Sequence, residues 1–397
     1  MPGISLRGGL IACAIMLHLG CGNEIRIEHR PVPTQPSPTE PPPCDPTSVP
    51  TSPIVSLEAV TSGVFIGDTL HLAARIDGVE SYVVLGFAGD YAWIANQPAE
   101  LLGPANLVPV SPDTHTRFQA DGLSIKVDLI DTSSADKPIL KQSFSYMAEV
   151  PTAWQSVFSV IDDHLLFCGA LTPNPPPELH SLALDGSAPP FPVMGGGFNP
   201  CSGSSHDAGA ALGKTWMTWG TSSDLFLYEA TATTVKPMAD YQYNPDGIHA
   251  YGPVVTAATD GERIVFDPGN ENEFFLYSVG SNAVTITHTV FGLAGPKRLL
   301  GVADHIVYLT TPAGIRAYDA STIGPPTNWD SLKLLDYNVE IPFGPGLGRL
   351  IAANAKYLAV VDESNTLYVA PRDKSGAVKP LEVHRDAPSD PVCPDGP

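Results

Sequence analysis

One short unit recurs along most of this chain, and the recurrence limits what it can fold into. The clearest copy is TDGERIVFDPGNENEFFLYSVG, from Thr259 to Gly280. Asp260-Gly261 is a tight-turn pair, Ile264 to Phe266 a short apolar strand, Asp267 to Asn272 a turn cluster, and Phe274 to Val279 a second strand. An isolated hairpin cannot bury both its faces in water, so it needs neighbours of its own kind.

The chain supplies them. The second strand reappears as LHSL from Leu179, LYEA from Leu227, LYSV from Leu276, AYDA from Ala317 and LYVA from Leu367. Their ring positions are His180, Tyr228, Tyr277, Tyr318 and Tyr368, so successive differences are 48, 49, 41 and 50 residues. Before each lies a first strand: LLFC from Leu165, WMTW from Trp216, IVF from Ile264, IVYL from Ile306 and LAVV from Leu358. Turn or polar pairs precede four of them: Asp162-Asp163, Gly213-Lys214, Asp260-Gly261 and Ala303-Asp304.

The template extends backwards to Thr69–Gly86, with Tyr82 at the ring position. The 98 residues from Tyr82 to His180 hold two periods, and DGLSIKVDLI from Asp121 fills the intervening one. Seven copies result. Repeats of about 40 to 50 residues, each of about four short strands, predict an all-β fold and a seven-bladed β-propeller. The alternative is an Ig-like β-sandwich over residues 54 to 150 followed by five blades. A chain that is 43% hydrophobic and rich in Gly and Pro suits either fold.

The expected organisation is residues 1–20 as signal peptide, 21–53 as a Pro-rich linker, 54–385 as the propeller and 386–397 as a tail. Arg7 precedes an apolar run from Gly8 to Gly20, and Gly20-Cys21-Gly22-Asn23 follows. The run is too short for a permanent membrane span. This start resembles that of bacterial lipoproteins, with His18 where that family usually has Leu. The resemblance implies lipidation of Cys21. The absence of Asp after the Cys implies the outer membrane or cell surface, with simple secretion to periplasm or medium as the alternative. The prolines from Pro31 to Pro53 make a stiff spacer.

Beyond Cys13 and Cys21, four cysteines remain, and three pairings are open. The propeller reading pairs Cys168 with Cys201, at one face of the ring, and Cys44 with Cys393, in the two Pro-rich tails that a closed ring brings together. The net charge of −21 argues against nucleic-acid binding.

Three loops are expected to share a ligand-binding face. Asp267, Asn270, Asn272 and Glu273 offer oxygen ligands for a structural calcium ion, although the same residues form ordinary turns. The loop GGGFNPCSGSSHDAG carries His206, and YQYNPDGIHAYG carries Tyr241, Tyr243, Asp246 and His249, suited to sugar or peptide contact. Ser205 to Gly209 resembles the start of the Asp-box of sialidase-type propellers, interrupted before its ending, and implies no catalytic residue here.

As a whole, the Asp-Gly turns and Leu-Tyr-x-Val strands resemble the repeats of TolB-like and WD40-like propellers, without the WD dipeptide. That resemblance implies a monomeric, lipid-anchored, non-enzymatic protein that binds or scaffolds a protein or glycan. No cofactor is expected. The alternative is a secreted glycan-active propeller enzyme, lyase or hydrolase.

Overall fold

The structure is a computed structural model, and it describes residues 52–387 apart from 89–90, 97, 104, 135–136, 148–156, 170–177, 196–208, 213–214, 220–223, 243–255, 260–262, 268–272, 279–283, 289–297, 321–332 and 344–347. Every regular element in them is a strand.

The strands fall into seven consecutive sheets. Blade 1 holds β1 (Leu57–Ile66), β2 (Thr69–Ile76), β3 (Val79–Ala88) and β4 (Tyr91–Ile94), with β5 (Ala99–Glu100) beside β3. Blade 2 is β6 (Ala105–Ser111), β7 (Thr114–Asp121), β8 (Ser124–Asp131) and β9 (Ile139–Met147). Blade 3 is β10 (Val157–Ile161), β11 (His164–Gly169), β12 (Glu178–Ala183) and β13 (Phe191–Pro192). Blade 4 has β14 (Met194–Gly195), β15 (Gly209–Leu212), β16 (Thr215–Trp219), β17 (Asp224–Ala230) and β18 (Thr234–Gln242), with β14 parallel to β18. Blade 5 is β19 (Thr256–Thr259), β20 (Arg263–Asp267), β21 (Glu273–Ser278) and β22 (Val284–His288). Blade 6 is β23 (Arg298–Ala303), β24 (Ile306–Thr311), β25 (Gly314–Asp319) and β26 (Lys333–Glu340). Blade 7 has, among the described residues, β27 (Arg349–Ala353), β28 (Tyr357–Val361) and β29 (Leu367–Pro371).

The sheets close on themselves. Their leading strands are neighbours in the order β1, β6, β10, β15, β19, β23, β27 and back to β1. This is a seven-bladed β-propeller. The sandwich alternative does not hold, because residues 57–147 form blades 1 and 2, whose leading strands stand side by side in the ring.

The recurring hairpin of the sequence is the second and third strand of each blade. In β11, Leu165, Leu166, Phe167 and Cys168 are all fully buried, so both faces of the strand are covered. That explains why these strands read as unbroken apolar runs rather than alternating ones. Outermost β9, in contrast, exposes Ile139 and Leu140. Apolar layers lie between neighbouring blades: Phe118, Ile125 and Val127 of blade 2 meet Leu165, Phe167 and Leu182 of blade 3. The Phe118 and Phe167 rings lie 5.2 Å apart. Each such side chain contributes roughly 1.5–3 kcal/mol through burial.

Tight turns in the blades take φ > 0 at both central residues: 47° and 60° at Asp162 and Asp163 and 46° and 65° at Asp304 and His305, which lead into second strands, and 47° and 83° at Asp77 and Gly78, between β2 and β3. Such turns match the strand twist, and Asp and His tolerate that region better than most side chains. The expected pair Ala303-Asp304 is thus corrected by one residue, since Ala303 is the last residue of β23.

After β29 the chain runs as a strap. β30 (Gly376–Ala377) pairs in parallel with β26 of blade 6, and β31 (Glu382–His384) in parallel with β4 of blade 1. The strap then meets the start of the ring, where Ile54 bridges His384. Val55 N donates to Val383 O at 2.7 Å, and Asp386 N donates to Ser52 Oγ at 3.1 Å. The second compact unit, Met1–Asp45 with Cys393–Pro397, lies outside the described residues.

Candidate functional site

The densest group of chemistry-bearing side chains lies between blades 1 and 2. It is built from strand register. On adjacent β7 and β8, Arg117 faces Asp128 and Gln119 faces Lys126, while Asp128 also faces Ser143 on β9. Asp128 is fully buried. Its Oδ2 accepts from Arg117 Nε at 3.0 Å, Arg117 Nη2 at 2.5 Å and Gln119 Nε2 at 3.2 Å, and its Oδ1 from Ser143 Oγ at 2.6 Å. Lys126 Nζ stands 3.4 Å away. A buried carboxylate is tolerable only with partners of this number and charge.

Arg117 carries the group into blade 1. Its guanidinium lies 5.1 Å from the centroid of the Tyr82 ring, within cation–π range. The Tyr82 hydroxyl sits 2.7 Å from His71 Nδ1 and 3.3 Å from His115 Nε2. His71 Nε2 is 3.3 Å from Thr69 Oγ1, which donates to Ile66 O at 2.8 Å.

One proton arrangement satisfies this chain: His115 Nε2–H donates to Tyr82, Tyr82 to His71 Nδ1, His71 Nε2–H to Thr69, and Thr69 to Ile66 O. His115 Nδ1, buried and without a hydrogen-bond partner, is then a bare lone pair rather than a stranded N–H. The acidities agree with a neutral His115 ring and an un-ionised Tyr82. Burial pushes the Tyr82 hydroxyl far above its usual range, against the pull of Arg117. Burial, then the charges of His71 and Arg117, lowers His115 to about 3. Both His71 and His115 are fully buried, so this relay is closed to substrate and joins two blades.

Smaller nodes do the same elsewhere. Past the end of β29, Arg372 donates through Nε to Tyr308 Oη at 2.7 Å, through Nη1 to Asp304 Oδ2 and Asn354 O at 2.5 Å each, and through Nη2 to Ala303 O at 3.1 Å. Blade 7 joins blade 1 through Arg349, whose Nη2 and Nη1 donate to Val60 O at 2.7 Å and Thr61 O at 3.1 Å.

Asp267 of the expected calcium loop is the last residue of β20, fully buried, and its Oδ2 accepts from Leu299 N of blade 6 at 2.9 Å. It thereby serves as a blade-to-blade tie. Asn270 and Asn272 lie outside the described residues, and Glu273 opens β21. Tyr241 is on β18, opposite Leu225 of β17. His206, Tyr243, Asp246 and His249 lie outside the described residues, so their meeting on one face stays an expectation. Cys168, fully buried on β11, is disulfide-bonded. All other cysteines, Cys21, Cys44, Cys201 and Cys393 among them, fall outside the described residues. Among the described residues, no group of three or more His, Cys, Asp or Glu is placed to hold a metal ion.

The inter-blade relay was not anticipated from sequence. Its signal is polar residues where central strands should be apolar: His71 in LHLAARI, His115 and Arg117 in THTRFQA, Asp128 in KVDLI.

No family model matches the chain, and no curated protein matches it. Solved structures of β-propellers do. AztD of Citrobacter koseri is 14% identical with a TM-score of 0.43, the match covering 83% of this chain and 96% of that one. YCF48 of Cyanidioschyzon merolae is 13% identical with a TM-score of 0.47, covering 70% and 84%. BamB of Moraxella catarrhalis is 12% identical with a TM-score of 0.37, covering 82% and 88%. These values are too low for an argument about function, and the assignment of the fold rests on strand order and the cyclic succession of blades.

Proposed function

We propose that this chain is a surface-anchored, non-enzymatic propeller that binds or scaffolds a protein or glycan in the cell envelope, as a monomer. The observation that carries this reading is the burial of strongly perturbed groups among the described residues. Tyr82 and His115 are bonded into a relay between blades. The buried carboxylates of Asp128 and Asp267 are spent on contacts within and between blades. An enzyme's perturbed groups instead converge on a pocket. In this reading the loops carry recognition and the blades carry the loops.

Anchoring is through lipid on Cys21 and the Pro-rich spacer. The clasp of Ser52 with Asp386 puts both ends of the described chain side by side, which supports a disulfide between the two tails. Cys44 lies eight residues before Ser52 and Cys393 seven after Asp386, a spacing that suits the proposed bond between them. Cys168 is proposed to pair with Cys201. A calcium ion at Asn270, Asn272 and Glu273 would share Asp267 with the Leu299 amide.

The reading is tested by presenting the purified protein to an oligosaccharide and peptide array while assaying the same ligands for turnover. Retention without product is expected; product formation would replace this reading by a glycan-active enzyme. Incorporation of labelled fatty acid in wild type but not in Cys21→Ser tests the anchor, and equal labelling of both would remove it.

A further inference from the structure

Among the described residues, blade 7 is one strand short, and its outer edge is left partly unpaired. Six blades have a fourth strand beside the third: β4, β9, β13, β18, β22 and β26. At blade 7 the strap crosses that position but pairs with blades 6 and 1 instead.

The register shows which backbone groups are exposed. Asp362 N donates to Thr366 O at 3.2 Å and Arg372 N to Lys356 O at 2.7 Å, so the even-numbered residues of β29 bond to β28. In an antiparallel pair the alternate residues then turn N–H and C=O outward: Leu367, Val369 and Pro371. Leu367 O is taken by Leu381 N of the strap at 2.8 Å. Pro371 has no N–H, and its O is taken by the Tyr337 hydroxyl at 3.1 Å. Between these two stops, the outward N–H and C=O of Val369 have no partner among the described residues.

Beside that edge is a cleft of about 650 Å³ lined by Val369, Tyr357 and Pro371 of blade 7 and by Val378 of the strap. Lys356 and Lys374, both exposed, also line it. Lys356 is paired with Asp68 of blade 1, whereas exposed Lys374 has no partner among the described residues, and Asp373 beside it is the opposing charge.

We propose that this cleft accepts a short extended peptide from a protein partner, paired to the Val369 amide and carbonyl and carrying a carboxylate toward Lys374. The inference rests on the protein-binding reading above and adds the place and the chemistry. A donor and an acceptor on one residue, turned the same way, are matched by the backbone of another strand about 4.8 Å away. Strand addition of this kind draws affinity from main-chain bonds and selectivity from alternate side chains. The stops at Leu367 and Pro371 limit pairing to a single central residue and its flanks, so the recognised segment is short. In a chain with a net charge of −21, an unpaired lysine lining the cleft favours an acidic segment at this position.

The probe is the pentapeptide acetyl-Glu-Val-Thr-Val-Glu-amide, with a control N-methylated at its three central residues so that these can neither donate nor lie flat against the edge. Amide exchange at Val369 is followed by NMR in the full protein. Saturating pentapeptide should slow that exchange about tenfold, and the N-methylated control should not. Lys374→Glu, an exposed change that leaves the fold intact, should weaken the pentapeptide about fivefold. No protection at about 1 mM peptide, or equal protection by the control, overturns the proposal. Binding of the pentapeptide that protects amides elsewhere overturns this site while leaving the protein-binding reading standing. If the array shows turnover but Val369 is still protected, the binding reading fails and the site survives.

Discussion

Replacing Tyr82 by Phe removes one hydroxyl and leaves two buried imidazoles without a shared partner. The expected loss is about 1–3 kcal/mol, read as a lower urea midpoint. Arg117→Ala should cost more, about 3–5 kcal/mol, because Asp128 keeps its charge without its main counter-ion. The relay also predicts pH dependence. His115 has a folded pKa of about 3 against 6.5 when free. Between those values the unfolded chain takes up a proton that the folded chain refuses, so stability falls as pH drops from 6.5 toward 3. Relative to His115→Gln, the wild type should lose up to about 1.4 kcal/mol more per pH unit in that window, measured by unfolding at stepped pH. Equal slopes would mean that His115 protonates freely in the fold. None of these roles was legible in the sequence, since one His or Arg in a strand reads the same whether it faces solvent or a neighbouring blade.

At the scale of elements, the sequence was informative where local chemistry is strong. The paired central strands were legible as apolar runs with an aromatic third-strand position, and buried Tyr82, His180, Tyr318 and Tyr368 occupy it. Outer strands such as β9 were not, because exposure removes the pattern. Glycine at one turn is required by geometry. Gly314 opens β25 with φ of 134°, and a Cβ there would lie 1.8 Å from Val339 O on β26. Gly314→Ala therefore forces β25 and β26 apart and should cost about 3 kcal/mol or more, seen as a lowered melting temperature or loss of soluble protein. A melting temperature equal to wild type would show that this turn relaxes.

On the scale of the whole molecule, seven blades follow from the repeat period, whereas the closure does not. The strap pairs through only two residues in β30 and three in β31, too short for either to carry a strand pattern in the sequence. Ending the chain after Pro380 removes β31, the Leu381–Leu367 bond and the clasp at Ser52. The truncated protein should unfold at lower temperature and be cut first by protease at the seam between blades 7 and 1. Unchanged melting and proteolysis would show that the strap is dispensable.

Closure itself is the central claim, and zero-length carbodiimide crosslinking tests it most directly. Lys356 of blade 7 and Asp68 of blade 1 are 288 residues apart in sequence, both well exposed, and their charged atoms lie 2.5 Å apart. Mass spectrometry of the crosslinked monomer should recover an amide between these two residues at a yield comparable to that of the Lys141–Asp131 pair within blade 2. Recovery of the Lys141–Asp131 link without the Lys356–Asp68 link would mean that the first and seventh blades do not meet, and the ring would be open.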